Sequence, residues 1–529
     1  MMKKKTFRML AGVAALGAAV MLSACGNSAQ SGEETTETEG KTLSYWVGMD
    51  SVLATRVQSY NEVAMYQQRE KDTGIHIDFI HPAAGQWSEQ FNLLVASGSL
   101  PDIIEYSWSN YVGGPQQAIN DGIIIALDDY MEYAPNYQSV LTEGELADFY
   151  RKGATTDDGR YFGFLALNTG NYRIFGGPNI RRDWLNELGL EMPETIDDWT
   201  EVLTAFKEQK GATAPLTGIG LPQSFSGAFD VGYNWYVEDG QVQYGPLQSE
   251  YKEYLQTLNQ WYESGLMDRD MASNQRTLVD AKITDGTAGA LSVSYIGSYM
   301  GRYLTQMETE DPAYDLAAAP FPARAKGEVN RFVTEGGEPD VALGSTAVIT
   351  TACEDPTAAV EWMDYWYSDA GYRMMNFGVE GESYTVEDGK YVYTDVILNN
   401  PDGLSISEAL QMYCRATAPA PGLKQAPEYL EQYYEYPQQT EALKLWEANT
   451  ESYRQTILPS LNSTPEEAET IASIKAELDT YVDEQRWNFV TGKESLDNYD
   501  QFVETLKNTF RVEEYQAILQ AQYERYLAK

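Results

Sequence analysis

The residues best suited to recognition chemistry in this 529-residue chain are its aromatic side chains, which include 38 Tyr, 11 Trp and 16 Phe. A Tyr or Trp ring has an apolar face and a polar edge, and a sugar presents C–H faces and a rim of hydroxyl groups. The stretch Tyr106-Ser107-Trp108-Ser109-Asn110 brings rings, hydroxyls and an amide together. Ordinary packing accounts for most of the other rings in the chain.

Residues for catalysis or metal binding are scarce. The only histidines are His76 and His81, so a zinc site or a Ser-His-Asp triad has few candidates. We predict no catalytic residue, no metal ligand and no cofactor. Cys353 and Cys414 form either one disulfide or two free, buried thiols.

The carboxylates of Asp157-Asp158-Gly159 are of the kind found in calcium loops. The other ligands of such a loop do not follow at the required spacing, so a hairpin turn is favoured. An extended segment, Tyr161–Leu167, is then expected after the turn.

The start of the chain has the pattern of an export signal. Four cations precede an apolar run from Met9 to Leu22, which is too short for a permanent membrane helix. Leu22-Ser23-Ala24-Cys25 resembles the lipobox of bacterial lipoproteins, whose cysteine receives a lipid and becomes the mature N-terminus. We predict a signal peptide over residues 1–24, a lipid (palmitate) on Cys25 and a flexible tether over residues 25–41. An ordinary signal peptide with a chance cysteine is the alternative.

The net charge limits the partners. It is −42 for the whole chain, and removal of a signal peptide with four cations and no acid leaves −46. Phosphate backbones would repel such a chain, so we expect no nucleic-acid partner. Anionic lipid would repel it too, which leaves the N-terminal lipid as the membrane contact. No second long apolar run occurs.

The elements that position the aromatic cluster alternate between strands and helices. The pattern predicts strands Thr42–Val47, Ile75–Ile80 and Asp102–Tyr106, with helices Ser51–Lys71 and Trp87–Ser97 between them. This order is typical of an α/β lobe with a largely parallel sheet. Ligands of such sheets collect at the carboxyl ends of the strands, where Trp46 and the Tyr106–Asn110 stretch fall.

The rest of the chain continues in the same way, ending in a mostly helical tail from Pro419. Thr195 and Thr464 have the spacing of helix N-caps. We predict the helices Arg181–Leu188, Ile196–Gln209, Tyr251–Ser264 and Pro356–Tyr367, and the strands Gln241–Tyr244, Ala288–Val293, Asp315–Pro320 and Gly344–Thr350.

Several segments, in order, resemble the extracellular solute-binding proteins of ABC sugar importers. They resemble most a long lipoprotein branch from Gram-positive bacteria that is related to the maltodextrin-binding proteins. The segments that carry the resemblance are Ala96–Trp108, Gly113–Pro115, Asp121–Leu127, Arg181–Leu190, Thr195–Trp199, Trp261–Asp270, Asp280–Ala290, Asp355–Ser368, Phe377–Thr385 and Asn488–Asp497.

The resemblance implies an α/β, type II periplasmic-binding-protein-like fold, in which two lobes joined by hinge segments close over a ligand cleft. We place the first lobe at residues 42–168 and 345–412. The second lobe is placed at residues 169–344 and 413–529, with the helical tail as a C-terminal extension.

The resemblance also implies a set of ligand contacts. Tyr106, Trp108, Ser109 and Asn110 match a first-lobe contact segment of the family, and Tyr295 and Tyr299 match a second-lobe aromatic position. Further candidates, chosen because they lie at strand ends or in loops facing the cleft, are Trp46, Trp87, Asn168 and Trp235. Maltodextrin-binding relatives carry charged residues where this chain has Ser109 and Asn110, a departure that weighs against maltose itself.

The resemblance implies a protein that captures a carbohydrate, expected to be an oligosaccharide, and releases it chemically unchanged. We expect it to be a monomer, anchored through its lipid to the outer face of the cytoplasmic membrane, and not an enzyme. A membrane permease of an ABC transporter would be the partner, since the chain has no P-loop of its own. The alternatives are a binding protein for a peptide or another small solute, a surface glycosidase that uses two of the 79 acidic residues, and an adhesion protein.

Overall fold

The computed structural model describes residues 41–50, 53–83, 85–144, 146–167, 174–333 and 345–529. The strands of this part are β1 Thr42–Val47, β2 His76–Ile80, β3 Ile103–Tyr106, β4 Gly176–Arg181, β5 Leu216–Thr217, β6 Trp235–Glu238, β7 Gln241–Tyr244, β8 Ala290–Tyr295, β9 Leu316–Ala318, β10 Thr346–Ile349, β11 Tyr384–Glu387 and β12 Lys390–Tyr393. The α-helices are α1 Ala64–Thr73, α2 Trp87–Ser97, α3 Gly114–Asn120, α4 Pro135–Thr142, α5 Ala147–Ala154, α6 Arg182–Leu188, α7 Ile196–Gln209, α8 Ser249–Glu263, α9 Arg276–Thr284, α10 Arg302–Glu310, α11 Pro356–Asp364, α12 Asp369–Phe377, α13 Asp395–Leu398, α14 Ile406–Tyr413, α15 Pro427–Tyr433, α16 Pro437–Glu447, α17 Thr450–Thr456, α18 Pro465–Val490, α19 Tyr499–Asn508 and α20 Val512–Ala528.

Two four-stranded sheets organise the described residues. The first has the order β10-β3-β1-β2, in which β1 is parallel to both β2 and β3, and β10 is antiparallel to β3. The second has the order β5-β8-β4-β9, in which β4 is antiparallel to both of its neighbours. The pairs β6–β7 and β11–β12 are separate hairpins. The parallel pairs in the first sheet match the alternation of strands and helices in the sequence.

Local signals fix several elements where the sequence predicts them. The predicted strands Thr42–Val47 and Gln241–Tyr244 and the predicted helices Trp87–Ser97 and Ile196–Gln209 are confirmed to the residue. Thr195 caps α7, because its hydroxyl accepts a hydrogen bond from the third backbone N–H of the helix. The remaining predicted elements occur with ends shifted by a few residues, except for two.

The first exception is the helix predicted over Ser51–Lys71, which begins only at Ala64. Ser59 caps a short 3-10 turn at Tyr60–Glu62, and Val63 is extended, with φ of −82° and ψ of 129°. An extended residue breaks the run of helical hydrogen bonds, so the predicted start is wrong.

The second exception is the extended segment predicted over Tyr161–Leu167, which makes only isolated bridges. Phe164 bridges Ala347 and Ala166 bridges Pro421. A proline has no backbone N–H, so a regular ladder cannot continue along this edge.

Two hydrophobic clusters form the core, and the second sheet lies between them. Leu291 of β8 and Leu316 of β9 belong to the larger cluster, which also covers the first sheet. Ile180 and Ala290 belong to the smaller cluster, which the C-terminal helices complete. The alternation of side chains along a strand sends neighbouring residues to opposite faces, which explains the division.

The two cysteines of the folded part are free thiols. Cys353 and Cys414 are both buried. Burial raises the pKa of each thiol to about 12. They therefore stay protonated at neutral pH and pack as small hydrophobic side chains, which settles the choice that the sequence left open.

His81 is held by hydrogen bonds that require its neutral form. Its Nδ1 lies 2.9 Å from the Val47 carbonyl oxygen, to which it donates, and its Nε2 accepts from the Tyr60 backbone N–H at 3.2 Å. Burial lowers the pKa of His81 below its usual range. Protonation of Nε2 would break the bond from Tyr60.

A pH dependence of stability follows from His81. As pH falls, His81 is protonated near pH 6.5 in the unfolded chain and only at lower pH in the folded chain. The free energy of unfolding should therefore fall as pH drops from 7 to 5.5. His81→Gln should remove that slope in denaturant titrations, while His76→Gln, at an exposed position beside Glu70, should leave it. Equal slopes in the wild type and His81→Gln would contradict the assignment.

Candidate functional site

The first group of predicted ligand residues lies where β1 and β3 end. Trp46 in β1 is only 3% exposed, whereas Tyr106, the last residue of β3, is half-buried. The centroid of the Tyr106 ring lies 4.5 Å from that of Phe91 in α2 and 5.7 Å, edge to face, from that of Trp46. Contacts from a strand and a helix thus fix the orientation of Tyr106 while part of its surface stays open.

Trp108 has a different environment. It is fully buried at the start of the 3-10 turn Trp108–Asn110, with its ring 5.4 Å from that of Phe91 and 6.2 Å from that of Tyr111. Its indole Nε1 is buried and finds no acceptor among the described residues. In this structure the indole therefore has no face open to a ligand, and it holds the turn against the core.

Ser109 and Asn110 lie on the exposed side of the same turn. The Ser109 hydroxyl oxygen lies 3.0 Å from that of Ser107. The backbone N–H of Asn110 donates to the Ser107 carbonyl oxygen at 3.1 Å. The turn thus presents a hydroxyl and an amide to solvent in a fixed backbone conformation, which suits hydrogen bonding to a hydroxylated ligand.

Trp87 provides an exposed ring near the same edge of the first sheet. It begins α2 and is 39% exposed. Its indole lies against Gly48, which directly follows β1, and a β-carbon on Gly48 would come within 2.7 Å of the indole. The absence of a side chain on Gly48 is therefore what allows Trp87 to lie close to the strand end.

A buried ion pair lies next to Tyr106. Glu105 of β3 accepts from Arg415 Nη2 at 2.9 Å and from the Tyr45 hydroxyl at 2.8 Å. The side chains of Arg415 and Glu105 are only 7% and 4% exposed. Arg415 also donates to the Tyr66 hydroxyl at 3.1 Å. This pair was not predicted from the sequence. The available signal was a carboxylate within an otherwise apolar strand, because such a group needs a buried partner.

The second group lies where β8 ends. Tyr295 is 42% exposed, and its ring centroid is 6.1 Å from that of Tyr299. The Arg276 guanidinium lies 3.8 Å above the Tyr299 ring and that of Arg302 lies 5.5 Å from it. Arg302 also pairs with Asp280 at 2.6 Å. Cation–π contacts thus fix Tyr299, while Tyr295 presents the more exposed ring.

Each group is paired with the first residue of a strand that the chain enters from the other sheet. Tyr106 is paired with Thr346, the first residue of β10, which the chain enters from the second sheet. Tyr295 is paired with Gly176, the first residue of β4, which the chain enters from the first sheet. Each group therefore occupies the edge at which the chain passes from one sheet to the other.

Trp235 does not join either group through a ring contact. Its ring stacks on Tyr244, with centroids 4.3 Å apart, and meets the edge of Tyr515 from α20 at 5.0 Å. The sequence placed this residue at a strand end or in a loop facing the cleft; it begins strand β6 and packs against Tyr515 of the C-terminal helix α20. Aromatic spacing alone does not reveal this, because α20 is far away in the sequence.

Two of the predicted positions, Cys25 and Asn168, lie outside the described residues. Asp157 lies in a turn, and its carboxylate pairs with Arg525 at 2.8 Å and with Lys529 at 3.1 Å. Within the part of the chain that the structure describes, no group of three His, Cys, Asp or Glu side chains is arranged to hold a metal ion, and no helix is both long and apolar enough to cross a membrane.

Comparison with protein families gives one match that covers more than half of the chain. A family profile described as bacterial extracellular solute-binding protein matches residues 53–373. These residues include the strand ends that carry Tyr106 and Tyr295.

Two curated relatives illustrate the likeness. The fructooligosaccharide ABC transporter substrate-binding protein FusA of Streptococcus pneumoniae is 26% identical over an alignment that covers 100% of this chain and 99% of that protein. Lipoprotein LipO of Bacillus subtilis is 24% identical over 65% of this chain and 68% of its own length.

Solved structures of the same kind share the fold. The alginate-binding protein AlgQ2, in a crystal structure without calcium ion, superposes with a TM-score of 0.72 at 21% identity, covering 92% of this chain and 98% of that one. FusA in complex with kestose superposes with a TM-score of 0.70 at 23% identity, covering 92% of this chain and 100% of that one. The predicted fold class, α/β and type II periplasmic-binding-protein-like, is confirmed.

Proposed function

Because the chain belongs to the family of bacterial extracellular solute-binding proteins, we propose that it captures an oligosaccharide and delivers it to the permease of an ABC transporter. FusA, which resembles this chain from end to end, is named for fructooligosaccharides, and AlgQ2 is named for alginate. Both names support a saccharide ligand. They differ in the sugar, so they support a class of ligand and not one particular saccharide.

The observation that carries the proposal is the position of the two tyrosine groups. Tyr106 is the last residue of β3, with Ser109 and Asn110 just beyond it, and Tyr295 is the last residue of β8, with Tyr299 just beyond it; each tyrosine is paired with the first residue of a strand that the chain enters from the other sheet. A sugar chain between them would meet aromatic faces and hydrogen-bonding side chains from both sheets. Each ring contact would add roughly 0.5–1.5 kcal/mol beyond the area it buries.

The proposed mechanism is closure of two lobes without chemical change. The proposed lobes are those predicted from the sequence, residues 42–168 with 345–412, and 169–344 with 413–529, with the boundary near residue 412 moved beyond Arg415, because that side chain is buried against Glu105 of the first sheet. A ligand that touches both lobes stabilises the closed form only by the difference between its affinities for the closed and open forms. The closed, monomeric protein would then dock on a separate permease, which would receive the unchanged saccharide.

Tyr295→Ala is expected to weaken saccharide binding about tenfold, the factor for a loss of about 1.4 kcal/mol. We would screen the mature protein by thermal shift against fructo-, gluco-, manno-, xylo-, galacto- and uronic-acid oligosaccharides, and then titrate the best ligand by calorimetry. Tyr133→Ala is the matched control, because Tyr133 is 38% exposed and lies in neither group. The control should keep the wild-type affinity.

The same screen separates the alternatives. A peptide library that raises the melting temperature, while no saccharide does, would favour the peptide-binding reading. Appearance of shorter saccharides after long incubation would favour a glycosidase. Equal affinities of the wild type and Tyr295→Ala for the same saccharide would remove Tyr295 from the site.

We further propose that the mature protein is anchored at the outer face of the cytoplasmic membrane by a lipid on Cys25. The proposal rests on the Leu22–Cys25 pattern, and the relative LipO is named as a lipoprotein. Cys25→Ser should abolish incorporation of labelled palmitate and release the protein into the medium. Ser23→Thr, which keeps the cysteine, is the control. Palmitate labelling of Cys25→Ser would contradict the assignment.

A further inference from the structure

A cavity unrelated to either tyrosine group lies between the β6–β7 hairpin and the C-terminal helices α18 and α20. It has a volume of about 230 Å³, and its lining includes Trp235, Tyr244, Arg486 and Tyr515. Sites for drug-sized ligands usually measure about 300–1,000 Å³, so this cavity suits a ligand the size of one sugar ring.

One wall of the cavity is aromatic. Trp235 and Tyr244 stack with their ring centroids 4.3 Å apart, and Tyr515 meets Trp235 at 5.0 Å. Burial raises the pKa of Tyr515 to about 12, so its hydroxyl stays a neutral hydrogen-bond donor and acceptor. The wall thus combines apolar ring surface with polar edges, the pairing that suits a sugar.

Arg486 adds a cationic, hydrogen-bonding group to the cavity lining, and the residue is only 3% exposed. Its Nη2 donates to the Tyr233 carbonyl oxygen at 2.8 Å and to Asn234 Oδ1 at 2.7 Å, and its Nη1 donates to Asp483 at 2.9 Å. These bonds fix the guanidinium. Its Nε is buried and has no acceptor among the described residues. Because Arg486 lines the cavity, its guanidinium offers a ligand oxygen a hydrogen-bond donor held in a fixed orientation.

The charges around the cavity balance. Asp483 is paired with Arg486, and the other carboxylate of the lining, Asp479, is paired with Lys475. Two carboxylates and two cations leave no net charge to attract an ionic ligand. The paired carboxylates still accept hydrogen bonds, which favours a neutral ligand rich in hydroxyl groups.

We infer that this cavity is an accessory site for a single neutral sugar unit, built by the helical tail and separate from the Tyr106 and Tyr295 groups. Trp235 would provide the ring surface, and Arg486 and Asp479 would bond the hydroxyls. The site does not depend on the oligosaccharide cleft proposed above, so either can fail without the other.

Saturation-transfer NMR with four methyl glycosides, of glucose, mannose, galactose and fructose, tests the site. The background is Tyr295→Ala, which removes a ring from the proposed cleft. We expect at least one glycoside to receive saturation in this background, and Trp235→Ala or Asp479→Asn added to it to reduce the transfer at least fivefold. Asp500→Asn is the matched control, because Asp500 is an exposed acid on the neighbouring helix α19.

Two results would overturn the inference: no transfer from any glycoside in the Tyr295→Ala background, or undiminished transfer after Asp479→Asn and Trp235→Ala. Circular dichroism checks the fold of Trp235→Ala. If that variant is unfolded, Asp479→Asn alone decides, because Asp479 is 44% exposed and its ion pair adds little to stability. Failure of the proposed cleft would instead be seen in the calorimetric titration of oligosaccharide.

Discussion

Arg415→Met should lower the free energy of unfolding by about 3–5 kcal/mol, the usual loss when one member of a buried ion pair is removed. The variant leaves the Glu105 carboxylate without its cation, in a side chain that is 4% exposed. Of the two side-chain donors that bond to this carboxylate, only the Tyr45 hydroxyl remains. The loss arises from the unpaired charge, since methionine fills much of the space of the arginine stem.

The measurement is urea-induced unfolding followed by tryptophan fluorescence and circular dichroism. Arg56→Met is the matched control, because Arg56 pairs with Glu408 at 3.1 Å on the surface, where its side chain is 44% exposed. The control should lose no more than about 1 kcal/mol. The double variant Glu105→Leu/Arg415→Met should recover part of the loss, since no charge is then left buried. Equal losses for Arg415→Met and Arg56→Met would contradict this account of the pair.

Trp108→Ala should lower the free energy of unfolding by about 3–5 kcal/mol and also weaken saccharide binding. The stability loss follows from the cavity left by a fully buried indole that contacts Phe91 and Tyr111. The binding loss is indirect. Without the indole, the turn that carries Ser109 and Asn110 loses its attachment to the core.

A second buried tryptophan separates the two effects. Trp261 is 2% exposed, belongs to the smaller hydrophobic cluster and donates from Nε1 to the Thr200 hydroxyl at 2.9 Å. Trp261→Ala should destabilise the protein by a similar amount and leave the affinity for saccharide unchanged. Thermal unfolding and calorimetry on both variants give the comparison. Wild-type affinity in a folded Trp108→Ala protein would show that the turn plays no part in binding.

Local chemistry made much of the fold predictable. β1, α2 and α7 occur where their apolar patterns and caps place them, because a threonine cap or a closing glycine acts within one helical turn. The late start of α1 follows from a local signal that its polar composition hides, since Ser59 and Glu62 form a capping box around a 3-10 turn and the next residue, Val63, is extended.

The site was less predictable, because its contacts join distant parts of the chain. The partner of Glu105 lies 310 residues away, and no spacing in the sequence reveals that pairing. Trp108 and Trp235 show the same limit. Aromatic type and strand-end position suggested contact in the main cleft for both, yet one ring is fully buried and the other packs on Tyr515 of the last helix, with no ring contact to either tyrosine group. Whether a ring faces a ligand is decided by packing that composition does not record.

Calorimetric titration of the wild type and of the double variant Tyr106→Ala/Tyr295→Ala with the best saccharide of the screen tests the central claim most directly. If the saccharide bridges the two sheets, the wild type will bind one molecule saturably and the double variant will bind about a hundredfold more weakly, the factor for two losses of about 1.4 kcal/mol. Unchanged affinity in a folded double variant would contradict capture between these tyrosines.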